Sequence, residues 1–264
     1  NCPDDYFSVL EEVKKACKKL ADDEILILTG DEFRITSETQ QRIFEMMSNI
    51  DIANYRIRGE ITKQVKHMPL VRGAQNLTVD TVNVGFTVQS DSGEPFSTGG
   101  DQGMKVVFHD ILSVKPSFNE YVEHVKEETQ SQKNIISIVP SSDYSAEIQK
   151  IAEEILRIIY IKEVPNLTPE EKKVVDEIAN SLESKTAQLE QAIVKSYANG
   201  VLVYLYNASI MTAQNAATII KEAELKMYGN IYTKRLGGSL KDSVALQLLK
   251  SAQNQLQNVI GHQP

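Results

Sequence analysis

The chain has 264 residues, a formal net charge of −8 and an isoelectric point near 5.2. That acidic balance, with no basic stripe, excludes a nucleic-acid binder, which needs a cationic face to displace counterions. Two cysteines, Cys2 and Cys17, exclude a disulfide framework; two ordinary thiols are the expectation, with a bridge holding the N-terminus as the alternative.

Residues 5 to 21 place Tyr6, Val9, Leu10, Val13, Ala16, Cys17 and Leu20 at helical spacing, with Lys14, Lys15, Lys18 and Lys19 on a solvated face. The run ILIL ending at Thr29 predicts a short buried strand, closed by Gly30 and Asp31. Ser37 is suited to cap a helix over 38–67, with Ile43, Phe44, Met47, Ile50, Ala53 and Ile57 turned inward and Pro69 ending it. Period two over Leu77 to Gln89 predicts a half-buried strand. A glycine-rich loop follows. It lacks the Lys-Ser/Thr of a phosphate-binding loop, so a flexible connection is expected. A second strand over 104–114 completes an expected antiparallel pair.

Farther along, a short helix over 118–128, a strand over 134–139, a helix from Asp143 to Leu156 and a short strand over 158–164 are predicted. Thr168, Pro169 and Glu171 form the sharpest local signal: a cap, a first-turn proline and the acid of a capping box. From there apolar residues recur every three or four positions, and no proline appears until the terminus. The pattern predicts one rod of roughly 95 Å, stopped at Gly237-Gly238, with Gly200 as its weak point. Inside it, Ser196 to Ile220 carries no charged residue. Ser239 and Asp242 then announce a last amphipathic helix over 240–252, followed by a short strand or extended tail over 255–260.

The fold class expected from these elements is α+β and helix-dominated. A mixed α/β globular domain spans 1–167, its small β-rich part followed by a long coiled-coil-like helix and a short terminal helix over 168–264.

Catalytic chemistry is not signalled. His67, His109, His124 and His262 lie in no metal-ligand spacing, and no nucleophile-elbow, Walker A or dinucleotide fingerprint is present. The acid pairs Glu11-Glu12, Glu127-Glu128 and Glu153-Glu154 are read as solvated helix faces. No catalytic residue, cofactor or metal site is therefore expected. Asn76, Asn166 and Asn207 each head a glycosylation triplet, which points to a secretory compartment, although such triplets also arise by chance.

Three stretches carry a family resemblance: HMPLVRGAQNLTVDTVNVGFTV (67–88), IQKIAEEILRIIYIKEVPNLTPEEKKVVDEI (148–178) and TAQNAATIIKEAELKMYGNIYTKRLGGSLKDSVALQLLKSA (212–252). Together, over about a third of the chain, they resemble the SPFH or band-7 family of prohibitins and flotillins. The charge-free window departs from that family's Glu- and Lys-laced helix. The resemblance implies a non-catalytic, membrane-associated scaffold that assembles through its long helix.

The expected function is accordingly self-association. Val203, Tyr206, Ile210, Ala213, Ala217 and Ile220 form the expected stripe, with a second copy or close paralogue as partner and a membrane surface nearby. A membrane-associated or secretory location goes with it. The alternatives are a secreted helical pore-former that stores the charge-free window, and a soluble helix-rich interaction domain.

Overall fold

The computed structural model describes residues 5–22, 26–29, 32–79, 82–97, 103–114 and 117–232. The helix expected over 240–252, its glycine stop, the tail beyond it and Cys2 lie outside the described residues.

Helix α1 (Asp5–Asp22) packs beside a hairpin of β1 (Leu26–Thr29) and β2 (Glu32–Ile35). The helix expected over 38–67 is two helices, α2 (Glu38–Ser48) and α3 (Asn54–His67). Asn49 caps the first, and Ala53 is extended. The capping box at Ser37 is formed: Gln40 N–H donates to Ser37 Oγ at 3.2 Å and Gln40 Oε1 accepts from Ser37 N–H at 2.9 Å. Pro69 does not simply end a helix. It opens the short α4 (Pro69–Gly73), where its missing N–H costs nothing.

The period-two run is not one strand. β3 (Asn76–Val79) and β4 (Val82–Gly85) form a separate hairpin, and β5 (Thr87–Ser90) joins a larger sheet. β6 (Lys105–Phe108) pairs with β5 in parallel, not antiparallel as expected. α5 (Phe118–Thr129) connects β6 to β7 (Ile135–Val139), again parallel. The segment expected as a strand over 158–164 continues α6 (Ser145–Lys162), whose Ile148, Ile155, Ile158 and Ile161 are buried at helical spacing.

The largest correction concerns the rod. Residues 169 to 231 hold α7 (Pro169–Ala179), α8 (Leu182–Ala198), the hairpin β8 (Val201–Tyr204) and β9 (Asn207–Ile210), and α9 (Ala216–Ile231). The expected architecture of a β-rich part followed by a long coiled-coil-like helix is thus overturned. The chain remains α+β, but its centre is a five-stranded sheet in the order β5-β6-β7-β8-β9. Val201 to Tyr204 are β-branched, leucine and aromatic residues, and all four are buried. A short apolar run of this kind fits a buried strand as well as a helix, and pairing with β7 decides between them. The turn places Leu205 and Tyr206 at positive φ (48° and 67°), the backbone of a tight two-residue hairpin. No helix among the described residues is long and apolar enough to cross a membrane.

The sheet is covered unequally. One face carries Val88, Val106, Phe108, Ile136, Ile138, Leu202 and Tyr204 against α3, α6, α8 and α9, which form the main core. The other carries Val139, Val201 and Val203 against Val122 and Val125 of α5 and Val114 of the loop before it. A third cluster, Ile43, Ile161 and Val175, ties α2 to α6 and α7.

Candidate functional site

The carboxyl ends of β5 and β6 open into a cleft of about 1000 Å³ between α3 and α5. Both strands end in polar residues: Asp91 follows β5, and His109-Asp110 follows β6. The backbone there is fixed. Asp91 N–H donates to Phe108 O at 3.2 Å and His109 N–H to Ile138 O at 3.0 Å, continuing the ladder past the strand ends. The buried Tyr197 hydroxyl of α8 donates to His109 O at 2.7 Å, and its ring meets Phe108 edge-on at 5.4 Å.

Asp91 is a bracket between the two loops. Its Oδ1 accepts from Ser92 N–H at 2.9 Å and its Oδ2 from Asp110 N–H at 3.1 Å. From α3, Arg58 forms an ion pair with Asp110 and donates to Ser113 Oγ at 3.0 Å; Ser113 in turn donates to Asp110 Oδ2 at 3.0 Å. Nearby, Lys66 neutralises Glu94 at 2.5 Å. Among the described residues neither Asp91 nor Glu128 is paired with a lysine or arginine; Glu128 meets the His124 imidazole at 3.2 Å.

His109 occupies the wall of this cleft, with a side chain only 9% exposed. Burial pulls its pKa below the usual imidazole value, against the opposing pull of Asp91 and then Glu128. The ring is therefore neutral at neutral pH. Its Nδ1 lies 3.0 Å from Tyr121 Oη and 3.9 Å from Asp91 Oδ2. Burial, with the same two carboxylates, pushes the Tyr121 phenol up to about 12, so it keeps its proton. The other ring nitrogen, Nε2, is buried and has no partner among the described residues.

The expected self-association stripe does not lie along one helix. Val203 is buried in β8, Tyr206 sits in the hairpin turn, and Ile210 is exposed on the edge strand β9. Ala213 and Ala217 are exposed in the following loop and in α9, and Ile220 is buried against the main core. No helical face brings the six together. Among the described residues no group of three metal-ligating side chains is present.

In sequence His109 and His124 stand apart, and Asp91, Asp110 and Arg58 belong to no motif. A signal existed. Two β-runs each end abruptly in acidic or imidazole side chains, as expected where parallel strands present a site at their carboxyl ends. An antiparallel pair, as the sequence alone suggests, sends the two ends in opposite directions and hides that signal.

The chain matches no protein-family model, and no curated protein and no solved structure matches it.

Proposed function

We propose that the chain is a non-catalytic binding domain whose cleft receives a cationic or N–H-bearing group of a ligand. The observation that carries this reading is the pair of carboxylates Asp91 and Glu128 lining the cleft, neither of them paired with a lysine or arginine among the described residues. The charge of Asp91 and Glu128 favours the same kind of group, because the other nearby acids are matched by Arg58 and Lys66. The cleft has the size of a small-molecule site and lies where open α/β sheets place their ligands.

The hydroxyls around the cleft favour binding over acyl transfer. Ser90 Oγ and Ser92 Oγ lie 2.8 Å apart, Ser90 Oγ also accepts from Glu94 N–H, and Ser113 is held by Arg58 and Asp110. None of these bonds places a hydroxyl against His109, as a nucleophile and its base require.

The test is an NMR titration of the full chain with methylguanidine, methylammonium and, as the anionic control, acetate. The cations are expected to shift the His109 and Tyr121 ring resonances saturably, and acetate is not. Asp91→Asn and Glu128→Gln are expected to weaken cation binding about tenfold each, the effect of one lost hydrogen bond to a charged group. Absence of a saturable shift with either cation, or equal binding of acetate, would sink the reading.

A further inference from the structure

The His109 ring is held in the cleft wall by few groups. It fills the space between the end of β6 and α5, and meets the Tyr121 ring edge-on with centroids 5.7 Å apart. Its main chain is pinned on both sides, by the bond from its N–H to Ile138 O and by the Tyr197 hydroxyl on its carbonyl. Movement here therefore belongs to the side chain. Among the described residues Nδ1 has one neighbour at hydrogen-bond distance, Tyr121 Oη, and Nε2 has none.

This arrangement suits an uncharged ring. An imidazolium carries an N–H on both nitrogens. In the wall, the Nε2–H of a charged ring would be buried beside no acceptor, and an unpaired charge is the costliest group to keep out of water. A better place lies close by. Asp91, in the loop after β5, stands 3.9 Å from Nδ1, and Glu128 of α5 lines the same cleft. A shift of about 1 Å brings Nδ1 within a charge-assisted bond of Asp91. The other groups around the ring do not offer it an anion. Asp110 is engaged by Arg58 of α3, and Tyr121 of α5 and Tyr197 of α8 keep their protons because burial raises both. His124 of α5 is exposed and meets Glu128, and a charge on it opposes one on His109.

We infer that acidification turns the His109 ring out of the wall and onto the Asp91 carboxylate, so that a proton on His109 and a cation on the ligand compete for one negative site. The competition rests on the cleft binding a cation; the turn of the ring does not. Burial holds the ring in the wall below the ordinary imidazole value of 6.5. An imidazole freed from the wall binds its proton more tightly, so a fall in pH below 6.5 favours the freed ring. Carboxylates keep their charge down to about pH 4, which leaves a window in which only the imidazole changes.

The experiment is ring NMR of the full chain at steps from pH 7.5 to pH 5. An Overhauser contact between the His109 and Tyr121 rings is expected at pH 7.5 and is expected to vanish as His109 titrates. Asp91→Asn removes the destination of the ring and should move the midpoint of that loss about one pH unit or more lower, the effect of an opposite charge at this range. Methylguanidine, as its cation, is titrated at the two end points. Its dissociation constant should be about fivefold or more higher at pH 5, and at saturation it should lower the His109 midpoint by the same factor, since coupling is reciprocal. His109→Gln, which cannot charge, should bind the cation alike at both pH values.

A ring contact that persists after His109 has titrated overturns the turn, as does an unmoved midpoint in Asp91→Asn. Equal binding of the cation by the parent at both pH values overturns the competition. If no cation binds at pH 7.5 and the contact is still lost on acidification, the cation-binding reading falls and the turn stands. Should His109→Gln fail to fold, as circular dichroism would show, the parent's ring contact and the Asp91→Asn midpoint decide.

Discussion

Glu224 shows how far one buried charge departs from its ordinary behaviour. It sits on α9 with no exposed surface; Oε2 accepts from Lys221 at 2.8 Å, while Oε1 has no partner among the described residues. The Lys221 ammonium also donates to the carbonyls of Gly73 and Asn76, at 2.6 and 2.5 Å, and so ties α9 to α4 and β3. Burial pushes the Glu224 carboxyl up to about 7, against the opposing effect of Lys221. The folded state therefore holds this proton more tightly than the unfolded chain. The resulting stabilisation is complete below the ordinary carboxyl value near 4.5 and is lost as pH rises through about 7. Glu224→Gln, which cannot ionise, should be more stable than the parent by about 1–3 kcal/mol at pH 8, with the difference closing towards pH 4.5. Urea unfolding at both pH values measures it. A variant less stable than the parent at pH 8 would mean that the Lys221 ion pair outweighs the burial cost. Single residues differ in how much of this the sequence discloses. Thr168, Pro169 and Glu171 announced their cap because every partner lies within three residues, and the box forms at 2.8 and 3.2 Å. Glu224 and His109 gave no such notice, since what buries them comes from distant parts of the chain.

Among the elements, the passage from α8 to β8 is the most constrained. Gly200 follows the C-cap Asn199, and its N–H donates to Tyr197 O at 3.2 Å. A Cβ on Gly200 would stand 2.1 Å from Val139 O and 3.1 Å from Pro140 Cα, both backbone atoms that cannot swing aside. The missing side chain lets β8 come alongside β7, and Ser196 helps by donating from Oγ to Ser141 O at 2.9 Å. Gly200→Ala should cost about 3 kcal/mol, at the upper end of overpacking effects, read as a lower denaturant midpoint. A change below about 0.5 kcal/mol, the range of neutral surface substitutions, would contradict the close approach. Gly200 is not a weak point in a rod, because α8 ends at Ala198 and β8 begins at Val201. It does not loosen a helix; it marks where a helix ends and a central strand begins. Helices with complete local signals, such as α5 and α7, could be read from spacing and caps. β8 could not, because Val203, Tyr206 and Ile210 stand three and four residues apart by coincidence with a helical period.

Across the whole molecule, strand pairing joins what the sequence divides at residue 167. β7 from the first part pairs with β8 from the second over Ser137–Val203, Ile138–Leu202 and Val139–Val201. The main core likewise draws on α3 and α6 as well as on α8 and α9. Residues 1–167 alone would expose one edge of β7 and the faces of α3 and α6 that α8 covers. That fragment is expected to lack a cooperative thermal transition, where the full chain unfolds with one. Calorimetry of the two separates the cases, and a fragment that melts sharply would show that the first part folds by itself.

The sequence by itself determined the acidic balance, the amphipathic helices, the cap at Ser37 and the capping box at Thr168. Each depends on composition or on residues a turn apart, whose interactions are present in any fold. Only the tertiary structure decided how residues 196–220 are used: Val201 to Tyr204 are buried as a strand paired with β7, Ile220 is buried in the main core, and Ile210, Ala213 and Ala217 stay exposed. It also decided that β5 and β6 run parallel, and so brought Asp91, His109 and Arg58 to one cleft. Those outcomes depend on which strands pair and in which direction. Pairing is settled by contacts between residues far apart in the chain, which no local period encodes.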